Sequence, residues 1–157
     1  MNERRKLINW MAGVTTFIVV LLIVIVLLDR EEDGVSLAAA SRTVALTLES
    51  GDGILENAPE TSNFDEDLSD QWYVKYMDYL YGQGYLDSGS VKADERSATS
   101  AVTYAVLSDW AKKASEEGKG ETDALLSYVD SGDRAKKAVS SENFWKFYDA
   151  FRAAVDP

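Results

Sequence analysis

The chain contains no cysteine and no histidine. The first absence removes disulfides and thiol chemistry. Together they remove zinc sites built on sulfur or imidazole, and every catalytic triad that needs an imidazole base. Exported domains of this size commonly rely on disulfide staples, so this one must hold itself by packing alone. Basic residues are scarce. From residue 31 onward 12 Lys and Arg stand against 25 Asp and Glu, a net charge of −13, and from Glu49 to Asp70 eight acids occur without one Lys or Arg. Such a surface repels nucleic acid and anionic lipid, and suits cations or a basic partner. The acidic hexapeptide at 65–70 lacks the glycine at the sixth place and the glutamate at the twelfth that a calcium loop needs, so neither a metal nor any other cofactor is expected. Alternation fit for a sheet core is missing after residue 50.

The longest apolar run is present in full. Leu7 to Leu28 is 22 residues without a charge, enough as a helix to cross a hydrocarbon layer about 30 Å thick. Arg4, Arg5 and Lys6 precede it and Arg30, Glu31, Glu32 and Asp33 follow it. The flanking positive charge predicts a cytoplasmic N-terminus and an exterior C-terminal part. A cleaved signal peptide ending at the alanines of 38–40 is the competing reading. The run is longer than the usual 7–15 residues of such peptides, and five charges and a glycine separate it from those alanines. The expected organisation is a cytoplasmic tail at 1–6, a single-pass transmembrane helix at 7–28, a linker at 29–35 and an extracytoplasmic helical domain at 36–157 of a cell-membrane protein.

Within 36–157 the spacing predicts four to five short helices and an all-α fold. Residues 36–50 carry strong helix formers and a usable cap in Ser36 or Ser41, although the later β-branched residues leave a strand open. Residues 51–63 read as a loop. Residues 70–82 read as a helix with Trp72, Tyr76 and Leu80 on one i, i+4 row, ended by Gly82 or Gly84. After a loop at 86–98, a helix over 99–115 has Thr99 as cap and a stripe of Val102, Val106, Trp110 and Ala114. A short helix at 122–130 and a last one at 140–155 follow; the last presents Phe144, Phe147, Tyr148, Phe151 and Val155. The candidate core is Phe64, Trp72, Tyr76, Leu80, Trp110, Phe144 and Phe151. Tyr79 and Tyr81, off the buried row, are the tyrosines expected at the surface.

One stretch stands out. Residues 64–86, FDEDLSDQWYVKYMDYLYGQGYL, hold seven aromatic residues and a single Lys. The pattern of Phe64, Asp65, Trp72, Tyr76, Leu80, Gly84, Tyr85 and Leu86 resembles the first half of an S-layer homology repeat, in which an acidic loop leads into a Trp-headed helix ended by glycine. A second helix opened by a Thr-Arg-Ala-Glu cap follows in that family. Here 98–102 keep Thr99 but carry Ser100 for the arginine and Val102 for the glutamate. Residues 40–45 look like an orphan copy with Ser41 as cap and Arg42 as the arginine, and 139–143 like a third copy without arginine. The resemblance covers roughly 36–155. It implies an envelope module of a Gram-positive bacterium that docks on wall polysaccharide through Arg42 and Asp65; from the helical row alone, any further carbohydrate contact would fall to Tyr79 and Tyr81.

The expected function is therefore a membrane-anchored, non-catalytic cell-envelope module that binds or scaffolds cell-wall or envelope components. Its partners would be the membrane it spans and a wall polysaccharide or an envelope protein. The alternative is the anchor or accessory region of a larger wall-remodelling assembly of the sporulation-protein-D type, working through protein–protein contacts. A glycan hydrolase using two carboxylates is disfavoured because no acid falls in a stretch that reads as a cleft, so no enzyme activity is expected.

Overall fold

The computed structural model describes residues 34–89, 91–117 and 123–155, all of them within the unit Gly34–Pro157. The expected cytoplasmic tail, the span at 7–28 and most of the linker lie outside the described residues. Among the described residues no helix is long and apolar enough to cross a membrane.

Three short extended segments organise the fold, and their sequences repeat: Gly34-Val35-Ser36, Ala101-Val102-Thr103 and Ala138-Val139-Ser140. Each leads directly into a helix: α1 (Leu37–Leu48), α5 (Tyr104–Glu116) and α7 (Ser141–Val155). Antiparallel bridges join them in a ring. The third residue of each pairs with the first of the next, Ser36 with Ala101, Thr103 with Ala138 and Ser140 with Gly34. The Val102 amide donates to the Val35 carbonyl at 2.9 Å and the Val139 amide to the Val102 carbonyl at 2.8 Å. The ring thus satisfies backbone groups beside buried Val102 and Val139. Ser36 caps α1, accepting from the Ala39 amide at 3.2 Å, and Ser140 accepts from the Asn143 amide at 3.3 Å.

The remaining helices are α2 (Gly51–Glu56), α3 (Val74–Gly82), α4 (Glu95–Thr99) and α6 (Asp123–Leu126). The described residues thus hold seven α-helices, more than expected, and are mostly helical. Two of the added helices stand where loops were read. Ser50 caps α2 and Ile54 buries beneath it; Asp94 caps α4 by accepting from the Ser97 amide at 2.7 Å, and Ala98 buries. Thr99 therefore ends α4 instead of opening α5. The chain must pass through the ring at 101–103 first, so α5 starts at Tyr104, and Val102 is buried without being helical. Within the expected 36–50 segment Leu37–Leu48 is helical, and the β-branched threonines are accommodated by bonding back along it: Thr43 to the Ala39 carbonyl and Thr47 to the Thr43 carbonyl, both at 2.9 Å.

The core runs from α1 and α3, which pack closely through Ala38, Ala40, Val44 and Ala45, to an aromatic file on α7. Trp110 meets Phe147 at 6.2 Å between ring centroids, Phe147 meets Phe151 at 5.8 Å, and Tyr128 meets Phe147 edge-on at 5.1 Å. Phe64, Leu80, Trp110, Phe144 and Phe151 are buried, and Tyr76 is half-buried.

Trp72 is a correction. It is 51 % exposed. The helix begins at Val74, and its buried face is set by Tyr73, Met77 and Leu80, with Phe64 packed edge-on against Tyr73 at 5.9 Å. That stripe turns Trp72, one residue ahead of Tyr73, outward. The same rotation corrects Tyr79, which is buried at 6 % exposure, and Tyr81, which is half-buried and donates to the Val91 carbonyl at 3.1 Å. Tyr79 offers no surface, and Tyr81 only part of one. After Gly84 the backbone adopts a left-handed turn (φ 76°) that returns the Tyr85 amide to the Leu80 carbonyl at 2.8 Å.

Candidate functional site

Outward rotation of Trp72 creates the surface feature that sequence reading missed. Five large apolar side chains are exposed among the described residues, and three of them, Leu46, Trp72 and Trp145, line one groove. The groove has a volume of about 430 Å³; Ala39, Arg42, Thr43 and Thr47 of α1 form one wall, and Trp145 and Tyr148 of α7 the other. The walls are tied by a hydrogen bond between the Tyr148 and Thr47 hydroxyls at 2.9 Å. Trp145 sets its ring edge-on to both Phe144 and Tyr148, at 5.1 and 5.6 Å, so it is anchored at its base while 48 % of its surface stays exposed.

Trp72 is held from the other side. Its ring lies edge-on to Tyr73 at 5.7 Å. The loop before it is lashed to α3 by Asp78, a buried carboxylate that accepts from the Ser62 hydroxyl at 2.5 Å, the Asn63 amide at 2.9 Å and the Asn63 side chain at 3.2 Å. Asp78 was not among the residues singled out from the sequence. An acid on the apolar face of α3, beside Met77, is the signal that could have found it, since a buried carboxylate requires donors.

The charge at the groove is unlike its surroundings. Residues 34–89 contain only two basic residues, Arg42 and Lys75. Both are exposed, and both lie against the ring of Tyr76, at 5.9 and 5.0 Å from its centroid. Neither forms an ion pair among the described residues. Both cations of this acidic stretch thus lie against Tyr76, and Arg42 shares the groove lining with the two open indoles.

No protein family, curated protein or solved structure matches this chain.

Of the residues proposed for binding, Arg42 lines the groove. Asp65 is exposed and stands at the start of a 3₁₀ turn, outside the groove lining. Tyr79 and Tyr81 are withdrawn into the fold, and Tyr81 is pushed up to about 12, by burial first and then by the charges of Asp78, Asp94 and Asp87. The placement of Arg42 also differs from the expected one. The caps of the three ring helices fall at Ser36, Thr103 and Ser140, so the residues following them are Leu37, Tyr104 and Ser141. No arginine occupies that place; Arg42 projects from the second turn of α1.

A second cavity, about 410 Å³, lies where α4 and the ring meet; Lys92, Asp94 and Arg96 contribute its charge and Val102 and Val106 its floor. Asp94 is already engaged as the α4 cap. Among the described residues no group of three or more acids converges as a metal would need.

Proposed function

We propose that the chain is a non-catalytic, membrane-anchored module of a cell envelope, and that it engages envelope components through the groove between α1 and α7. The observation that carries this reading is the gathering of Trp72, Trp145 and Leu46 around Arg42. Exposed apolar patches on a small domain mark interaction sites, and Trp, Tyr and Arg are the residues that dominate binding energies. No carboxylate lines the groove and its Thr43, Thr47 and Tyr148 hydroxyls are bonded within the fold, which supports recognition as its chemistry. The uncharged run at 7–28 supports the anchor and an exterior location for residues 34–157. The ring of three extended segments, each leading into a helix, supports a module built from three degenerate repeats of the S-layer homology kind. The missing cap arginines weigh against tight docking on an anionic wall polymer. The shared Gly/Ala-Val-Ser/Thr segments are better read as what closes the fold.

Photo-crosslinking in intact Gram-positive cells tests the reading. A benzophenone side chain at position 46, in the groove, should capture an envelope component that the same group at exposed Leu126, outside the groove lining, does not. Identical products from the two positions, or none from position 46, would refute it.

A further inference from the structure

We infer that the groove is where the folded unit rests on the membrane from which the chain emerges, its occupant being the headgroup and carbonyl layer of the bilayer. This rests on, and sharpens, the reading of residues 7–28 as a membrane span, by naming the envelope component that the groove meets.

Chain length brings the two together. Val35 lines the groove and lies seven residues beyond Leu28, the last apolar residue of the run. Even fully extended, seven residues reach only about 25 Å. Composition then fits the zone reached. Indole rings favour the boundary between hydrocarbon and water, where the ring is apolar and the N–H stays wet. Both exposed tryptophans among the described residues are here, with Leu46 between polar neighbours of α1 to enter the layer beside them. Arg42 and Lys75 supply cationic heads for lipid phosphate.

The hydroxyls of the groove argue against a sugar. Thr43 and Thr47 donate to carbonyls of their own helix, and the Tyr148 hydroxyl is bonded to Thr47. No Asp, Glu, Asn or Gln lines the groove. A polyhydroxylated ligand needs many acceptors and donors and would find few, whereas an interfacial lipid layer needs apolar surface and cations. The surface charge sets the strength. Residues 34–157 carry a strongly acidic net charge, so the unit released from its anchor should bind bilayers poorly. Tethering raises the effective concentration to the millimolar range and makes a weak contact the resting state.

The test uses the full chain with Trp10→Phe, reconstituted in phosphatidylcholine vesicles with and without bromine on the acyl chains near the headgroups. Trp110, fully buried, is the internal control. Brominated lipid should quench emission from Trp72 and Trp145. That quenching should be lost in the Trp72→Phe, Trp145→Phe double variant and reduced in the Arg42→Ala, Lys75→Ala variant. Emission indifferent to brominated lipid but quenched by acrylamide overturns the inference. If sacculi or a captured envelope protein then shields the indoles from acrylamide, the binding module stands with a different occupant. Failure of the chain to float with the vesicles removes the anchor and both readings together.

Discussion

Replacing Asp78 by alanine tests how the fold supports the groove. The carboxylate is 5 % exposed and accepts three hydrogen bonds, from Ser62 and twice from Asn63. Hydrogen bonds to a charged group are worth about 1.5–3 kcal/mol each in net stability. Ser62 and Asn63 are themselves exposed, so water replaces the lost acceptor for both. The expected loss is therefore about 2 kcal/mol, near one such bond, a sizeable share of the about 5–15 kcal/mol that holds a domain. Asp78→Asn keeps one acceptor oxygen without the charge and should fall between the parent and Asp78→Ala. Urea unfolding of the fragment 34–157 reads this directly. With a slope of about 1–3 kcal/mol per molar urea, the midpoint should drop by about 1 M. Hydrogen exchange should also show the Asn63 and Phe64 amides losing protection. Because Phe64 packs on Tyr73 and Tyr73 on Trp72, acrylamide should reach Trp72 more readily in the variant. A stability within about 0.5 kcal/mol of the parent, with these amides still protected, would mean that Phe64 alone holds the loop and that the reasoning from buried charge is wrong.

Two tryptophans should respond oppositely. Trp110→Ala removes a fully buried ring and should cost about 3–5 kcal/mol, whereas Trp72→Ala should cost about 1 kcal/mol or less and leave the melting curve cooperative; similar losses would contradict their assigned places. Alkali should unfold the domain through its tyrosines. Tyr81 and Tyr85 are both raised, chiefly by burial, Tyr85 also by its hydrogen bond to Glu117 at 2.9 Å. Each keeps its proton in the folded state where the unfolded chain has lost it. Their contribution is complete below pH 10 and declines as pH rises from 10 through about 12, the value for Tyr81. A melting series across that window should fall less steeply for Tyr81→Phe than for the parent; parallel curves would exclude the assignment.

Composition and periodicity by themselves carried the all-α class, the apolar file of Phe144, Phe147 and Phe151, and the stripe of Val106, Trp110 and Ala114. These positions follow one helical period over several turns, and burying that face is the only way to satisfy it. The cap of α1 was narrowed to Ser36 or Ser41, and the fold uses Ser36; the Ser50 cap of α2 went unread because 51–63 has the composition of a loop. The ring of three extended segments was written in the sequence as a repeated small-Val-Ser/Thr tripeptide. Its pairing, however, joins residues as far apart as Gly34 and Ser140, and only the folded chain closes it. The face of α3 was decided by tertiary structure alone. Residues 72–81 carry aromatics on nearly every side, so the row expected through Trp72, Tyr76 and Leu80 competed with a second through Tyr73, Met77 and Leu80. Packing against the small residues of α1 and against Phe64 selected the second. That one rotation buried Tyr79, half-buried Tyr81 and exposed the tryptophan expected in the core. It also placed Trp72 across from Trp145, 73 positions along the chain, a juxtaposition that no local pattern encodes.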